Sequence, residues 1–370
     1  MIKLAILSPS QNAHSETFIR AHKNLPFIVK FYHGGYVPEQ LEPFGRLPQD
    51  LENTEQIAGL NMRESIFRSS LKREGIDCVM AEFGVTAAES LNSIKSLNLP
   101  LIANFYGFDA SIKSVLEQYE SKYKEVFDYA SFVVVVSNKM ADDLFTLGCP
   151  KEKIVVSYCG ASSKFLKILP RYNKKQFVAV SRFVEKKSPH ATIAAFRNVV
   201  TRHPDCKLIF VGEGPLYQIC KLLVISYKLT SNVQFMGYQS PEQIREIFSE
   251  SIAFVQHSVT AKNGDSEGTP VAILEAGAVG LPVISTRHAG IPDVILDGVT
   301  GILVDEFDIE GMTKSMLRIL ENPKLGVLMG KKSKDHVRKN FTLAKHLQCL
   351  KMLINNSVRI SSDDRKSSNI

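Results

Sequence analysis

The chain has 370 residues, of which 44% are hydrophobic and 22% charged, enough for two domains with separate cores and unlike a disordered or fibrous protein. No segment approaches ~18 consecutive apolar residues, and the opening MIKLAILSPS is too short in its apolar run and too sparsely charged for a secretion signal, so a cytoplasmic protein is expected. Cys78, Cys149, Cys159, Cys206, Cys220 and Cys349 lack the spacing of zinc ligands, which predicts reduced thiols, and no nucleic-acid-binding signature is present.

Apolar runs alternate with helical stretches along the chain. KLAILSP, FIVKFYHGG, CVMAEFG, PLIANFYGF, FVVVVSN and KIVVSYCG read as strands in the first half; FVAVSRF, KLIFVGEG, VQFMGY, IAFVQHS and PVISTR read as strands in the second. That rhythm predicts α/β architecture with parallel sheets covered by helices. The polar, proline-containing stretch ASSKFLKILPRYNKKQ, residues 161–176, interrupts it and reads as a linker. Two Rossmann-like doubly wound domains facing a cleft are therefore predicted, over residues 1–165 and 166–345, then a helix over 346–356 and a tail, 357–370, whose composition suggests disorder. Charge divides unevenly: residues 1–165 carry 17 Lys+Arg against 19 Asp+Glu, and the remainder 28 against 19. A basic second half favours an anionic ligand there.

Three stretches of that half carry candidate chemistry. FVAVSRFVEKKSP delivers Arg182 and Lys187 just beyond a strand end, where a pyrophosphate would find a bidentate guanidinium and a compact ammonium. LIFVGEGPL places Gly212 and Gly214 at a strand-to-helix turn, permitting close backbone approach to a ligand. DSEGTPVAILEAGAVGLPVIST predicts a helix over roughly 270–279, with Thr269 as N-cap and Pro270 at the first helical position. Glu275 falls inside this apolar helix and requires hydrogen-bond donors, which sugar or ribose hydroxyls would supply. Glu267 stands in the preceding turn, at the carboxyl end of a strand, beside the backbone N–H groups of Gly268, Thr269 and Val271, an arrangement suited to phosphate. The first strand is not followed by Gly-x-Gly-x-x-Gly, which disfavours a nicotinamide dehydrogenase.

Taken in order, S-R-F-V-E-K-K, V-G-E-G-P, F-x-G, E-G-x-P-x-x-x-x-E and H-A-G-I-P-D-V-I-x-D-G-V-T-G-I-L-V resemble the retaining glycosyltransferases of family 4, which have the GT-B fold. The likeness covers most of residues 130–345, and HSETFI, FYGFDAS and HSVTAKNGDSEGTP resemble the colanic-acid type of bacterial exopolysaccharide enzyme. The resemblance implies transfer of a hexose from a nucleotide-diphosphate sugar, UDP-sugar over GDP-sugar, without cofactor or metal. The acceptor would be a glycan or lipid-linked sugar, with peripheral contact at the inner membrane face. It implies that Arg182 and Lys187 hold the diphosphate, Glu275 the ribose, and Glu267 the donor sugar, with Gly237 and Tyr238 near the base. Where many members have H-G-x-D this chain reads Tyr106-Gly107-Phe108-Asp109, so Tyr106 and Asp109 are candidates on the sugar and acceptor side, together with His14 and Ser15. A catalytically silent nucleotide-sugar-binding protein and a GT-B nucleotide-sugar epimerase are the alternatives.

Overall fold

The computed structural model describes residues 1–11, 17–48 and 57–367, with side chains to residue 362. The chain divides into two compact units, Met1–Ser157 with Leu347–Ile370, and Tyr158–His346.

The first unit contains β1 (Lys3–Leu7), β2 (Ile28–His33), β3 (Gln40–Leu41), β4 (Gly45–Arg46), β5 (Cys78–Glu82), β6 (Leu101–Phe105), β7 (Phe132–Val135) and β8 (Ile154–Val156). They form one sheet in the order β4-β3-β2-β1-β5-β6-β7-β8. All neighbours are parallel except the β2–β3 and β3–β4 pairs at one edge. β5 and β6 are buried at every residue, as expected of strands covered on both faces.

The second unit contains β9 (Gln176–Val180), β10 (Lys207–Val211), β11 (Val233–Phe235), β12 (Ala253–Val255), β13 (Val283–Thr286) and β14 (Gly301–Val304), an all-parallel sheet in the order β11-β10-β9-β12-β13-β14. This is the doubly wound order, reversing between β9 and β12. Alternate residues of β9 feed opposite sides: Phe177 joins the core with Phe196, Phe210 and Met316, whereas Val178 joins Phe254, Ile273 and Val279.

All eleven strands read from the sequence are present, and β3, β4 and β14 are additional. The unit boundary falls at 157/158, upstream of the expected 165/166. The expected linker belongs to the second unit because Phe165 is buried against its core and Ala161 N–H donates to Phe341 O at 2.8 Å. The tail expected to be disordered is instead helical over its described residues, since one helix runs Leu343–Ser367. Leu350, Leu353, Ile354 and Ser357 give it a buried stripe at helical spacing, and its sequence contains neither Gly nor Pro to stop it. Among the described residues no helix is long and apolar enough to cross a membrane.

Candidate active site of the second unit

The strand order reverses between β9 and β12, and the loops leaving these two strands interlock. Val259 N–H donates to Lys186 O at 2.9 Å, and Lys262 N–H donates to Glu185 Oε1 at 3.2 Å. Lys186, buried, donates to Asp265 Oδ1 at 2.8 Å and to Ser266 O at 2.9 Å. Its neighbour Lys187 turns to Glu267: Nζ lies 2.7 Å from Oε1, with the two side chains 11% and 5% exposed. Ser258 Oγ donates to the same oxygen at 3.1 Å, while Oε2 has no donor among the described residues. Burial acts to raise the Glu267 pKa, but the charges and hydrogen bond of Lys187 and Lys186 outweigh it and hold the carboxyl below its usual value. Arg182 is exposed and makes no side-chain pair among the described residues.

The following helix spans Val271–Val279, with Pro270 rather than Thr269 at the N-cap position and no side-chain cap. Proline suits this junction because it has no N–H to satisfy. The backbone N–H groups of Gly268 and Val271 have no protein acceptor among the described residues. The helix is buried at Ile273, Leu274 and Ala276 through Val279, leaving Val271, Ala272 and Glu275 as a half-buried stripe on one face. Glu275 therefore lies on the one side of this helix open to a ligand. Its carboxyl has no donor among the described residues, and burial, only partly opposed by Arg245, pushes its pKa up to about 8.

The glycines after β10 are required by the protein's own backbone. A Cβ on Gly212 would stand 2.0 Å from Ser181 O, and one on Gly214 2.7 Å from Phe183 O. Phe183 N–H donates to Glu213 O at 2.8 Å, so these residues are glycines because two backbone loops touch. Gly237 O accepts from Gly212 N–H at 2.8 Å, which sets Gly237 and the half-exposed Tyr238 beside the same turn.

The first unit gathers its own polar cluster at the ends of β5 and β6. Glu82, fully buried, contacts His22 Nδ1 at 2.7 Å and accepts from Asn104 Nδ2 at 3.1 Å and Tyr106 Oη at 2.6 Å. Asp109 is fully buried and accepts from the N–H groups of Gly84, Tyr106 and Gly107 at 2.9, 3.1 and 2.9 Å. Burial pushes its pKa up against those three donors. Its observed work is to hold the turn that carries Tyr106. His14 and Ser15 lie outside the described residues. Ser258, His288, Glu306, Glu82 and Lys186 were given no role from sequence, although Lys186, Ser258 and His288 fall inside the motifs S-R-F-V-E-K-K, HSVTAKNGDSEGTP and H-A-G-I-P-D, and Glu82 is a carboxylate within the apolar run CVMAEFG.

Comparison with known proteins bears on the family and the fold. Residues 20–164 match the family described as Glycosyltransferase Family 4, and residues 163–336 match Glycosyl transferases group 1. WcaL of Escherichia coli strain K12, named for colanic acid biosynthesis, is 30% identical over 72% of this chain and 67% of its own length. The chain belongs to the family 4 glycosyltransferases. The amylovoran biosynthesis glycosyltransferase AmsK of Erwinia amylovora is 30% identical to this glycosyltransferase over 69% of the chain, an alignment spanning 64% of AmsK. Its fold is that of Anabaena Alr3699/HepE, solved in complex with UDP, at a TM-score of 0.78 and 14% identity over 96% of this chain and 100% of that one. Both units are thus Rossmann-like domains of the GT-B type.

Proposed function

We propose that this glycosyltransferase moves a hexose from a nucleotide-diphosphate sugar, UDP-linked in preference to GDP-linked, with retention of configuration and without a metal ion, onto a glycan or lipid-linked acceptor in exopolysaccharide assembly. The observation that carries this reading is the meeting of Lys187 with Glu267 at the strand-order reversal, beside the open amides of Gly268 and Val271. Arg182 and Lys187 would offset the charge of the departing diphosphate in place of a cation. Glu275 would accept the ribose hydroxyls, and the open Oε2 of Glu267 would face the sugar as its anomeric carbon becomes cationic. Retention would follow from the leaving phosphate taking the acceptor's proton on the side it departs from. UDP is favoured because structures similar in fold hold UDP and UDP-glucose, and exopolysaccharide because WcaL and AmsK are named for it. Catalysis would take place in the cytoplasm, with peripheral contact at the inner membrane face.

Thermal stabilisation by a panel of UDP- and GDP-sugars identifies the donor; saturation at ~100-fold over Kd would add about 2.7 kcal/mol. Product formation from that donor is then followed with and without EDTA. Undiminished transfer and an α-linked product from an α-linked donor are expected. Loss of transfer in EDTA with recovery on adding magnesium or manganese would reject the metal-free reading, and an inverted product would reject retention.

A further inference from the structure

Three exits from the second sheet are tied together by histidine. His288, 2% exposed, lies just after β13. Its Nδ1 is 2.6 Å from Glu306 Oε1, and its Nε2 is 3.1 Å from the backbone nitrogen of Glu267. A carboxylate only accepts and a backbone N–H only donates, so both contacts demand the same tautomer: the proton on Nδ1 and a bare lone pair on Nε2. Glu306, on the loop after β14, spans further, accepting Thr260 N–H on Oε2 at 2.9 Å. Burial acts upward on the Glu306 carboxyl, but Thr260 and His288 hold it below its usual value.

The position of Glu306 is in turn held from β12. His257, fully buried, accepts Phe307 N–H on Nε2 at 2.9 Å. Phe307 has φ 66, a conformation costly for a bulky side chain that persists only where its surroundings impose it. The loop from Ser258 to Glu267 is thus clamped near both ends, at Thr260 by Glu306 and at Glu267 by His288, while Thr286 Oγ1 donates to Ser258 O at 2.6 Å.

We propose that His288 is a positioning residue for Glu267, oriented by Glu306, which holds the backbone of the carboxylate in register with Lys187 and so sets turnover rather than nucleotide affinity. The proposal rests on the reading of Glu267 as the group facing the donor sugar. It acts through the backbone: the Glu267 N–H, buried, would otherwise have no acceptor, and displacement of the loop would move the carboxylate relative to its partners on the β9 loop. Misplacement of a reacting group by ~1 Å costs on the order of 100-fold in rate.

Two amides separate the contacts of the imidazole. In His288→Gln the side-chain oxygen reaches the place of Nε2 and can accept from Glu267 N–H. In His288→Asn the shorter amide occupies the place of Nδ1, can donate to Glu306, and cannot reach Glu267. Turnover is measured with whichever of UDP-glucose, UDP-galactose, UDP-N-acetylglucosamine and GDP-mannose gives the fastest nucleotide release by the parent, and affinity for the free nucleotide by calorimetry. His288→Asn is expected to lose on the order of 10- to 100-fold in kcat with nucleotide affinity within about twofold, and His288→Gln to keep most of the parent rate. Glu306→Met, which removes the acceptor from Nδ1 and leaves His288 in place, is expected to lower kcat in the same way and carries the test if His288→Asn does not fold. Equal rates for the Asn and Gln variants, or a parent rate in Glu306→Met, would overturn the proposal. Glu267→Gln in the same assay separates the two levels: if it turns over at the parent rate, the role assigned to Glu267 fails, whereas a slow Glu267→Gln beside fast His288 variants rejects only the positioning role.

Discussion

Replacing Glu267 by Gln keeps the shape of the side chain and removes the charge opposite Lys187. The two groups are 2.7 Å apart and almost fully buried, so Lys187 is left as an uncompensated buried ammonium. Breaking a buried pair from one side typically costs about 3–5 kcal/mol. Ser258 remains as a donor to the new amide and Lys187 can release its proton, which places the expected loss near the lower end, about 3 kcal/mol. For a unit of this size that corresponds to a fall of about 6–12 °C in Tm. Adding Lys187→Met removes the orphaned charge and should recover most of the loss, to within about 1 kcal/mol of the parent.

The pH dependence follows from the direction of each shift. Glu267 is held below its usual range, so its contribution is present above the unfolded value of about 4.3 and is lost as pH falls through the lower folded value. The gap between parent and variant should therefore be full at pH 7 and close in acid. On the alkaline side, burial lowers the pKa of Lys187, Lys186 and Arg182 add to that effect, and Glu267 opposes it. With the carboxylate gone, Lys187 loses its proton more readily and the variant regains stability as pH rises. Thermal melts from about pH 2 to 10 on the parent, both single variants and the double variant measure all of this. A gap that does not change with pH, or a double variant destabilised by the sum of the singles, would refute the ion-pair account. Turnover measured well below the lowered Tm should still fall by on the order of 10²–10³ at saturating donor, with nucleotide affinity retained.

Glu275, with its pKa near 8, is mostly protonated at pH 7, so nucleotide binding that recruits it as an acceptor should release a proton. Calorimetry in buffers of different ionisation enthalpy detects that proton. Glu275→Gln should abolish the release and weaken binding by about 1.5–3 kcal/mol, and unchanged affinity would reject the ribose assignment. Because its folded pKa is raised, Glu275 contributes stability below the unfolded value that is lost as pH rises through about 8, so Glu275→Gln should gain stability relative to the parent between pH 5 and pH 9. Gly212→Ala places a methyl group 2.0 Å from Ser181 O at a φ of 126, and denaturant titration should show a loss of about 2–4 kcal/mol. Parent-like stability there would mean that the 181–183 loop yields without cost.

Local features of this protein were legible without its fold. Continuous apolar runs bounded by polar turns identified eleven strands, because a strand covered on both faces must be apolar at every position. Glu275 stood out for the same reason, a charge in a segment otherwise made for burial. What escaped was whatever depends on distant partners. β3 and β4 have two residues each and no pattern to read, and β14 lay within a motif noticed for its resemblance rather than as a strand. The helix through 357–367 reads as a solvated tail by composition, but Leu350, Leu353, Ile354 and Ser357 start it on a buried stripe. Phe165 likewise ties the polar linker to the second core, and Gly212 and Gly214 meet the backbone of Ser181 and Phe183, a contact no local pattern announces.

Lys187 and Glu267 could be named separately as a cation and an anion near strand ends. That they form one buried pair was decided by the crossover that sets β12 beside β9. Glu306 had no signal, and His288 entered only as the first residue of H-A-G-I-P-D, with no role attached; what the two do exists only because β12, β13 and β14 end side by side. Backbone geometry and burial write themselves into adjacent residues as periods of two or 3.6, whereas the pairing of side chains across loops depends on strand order, which no short stretch of this chain records.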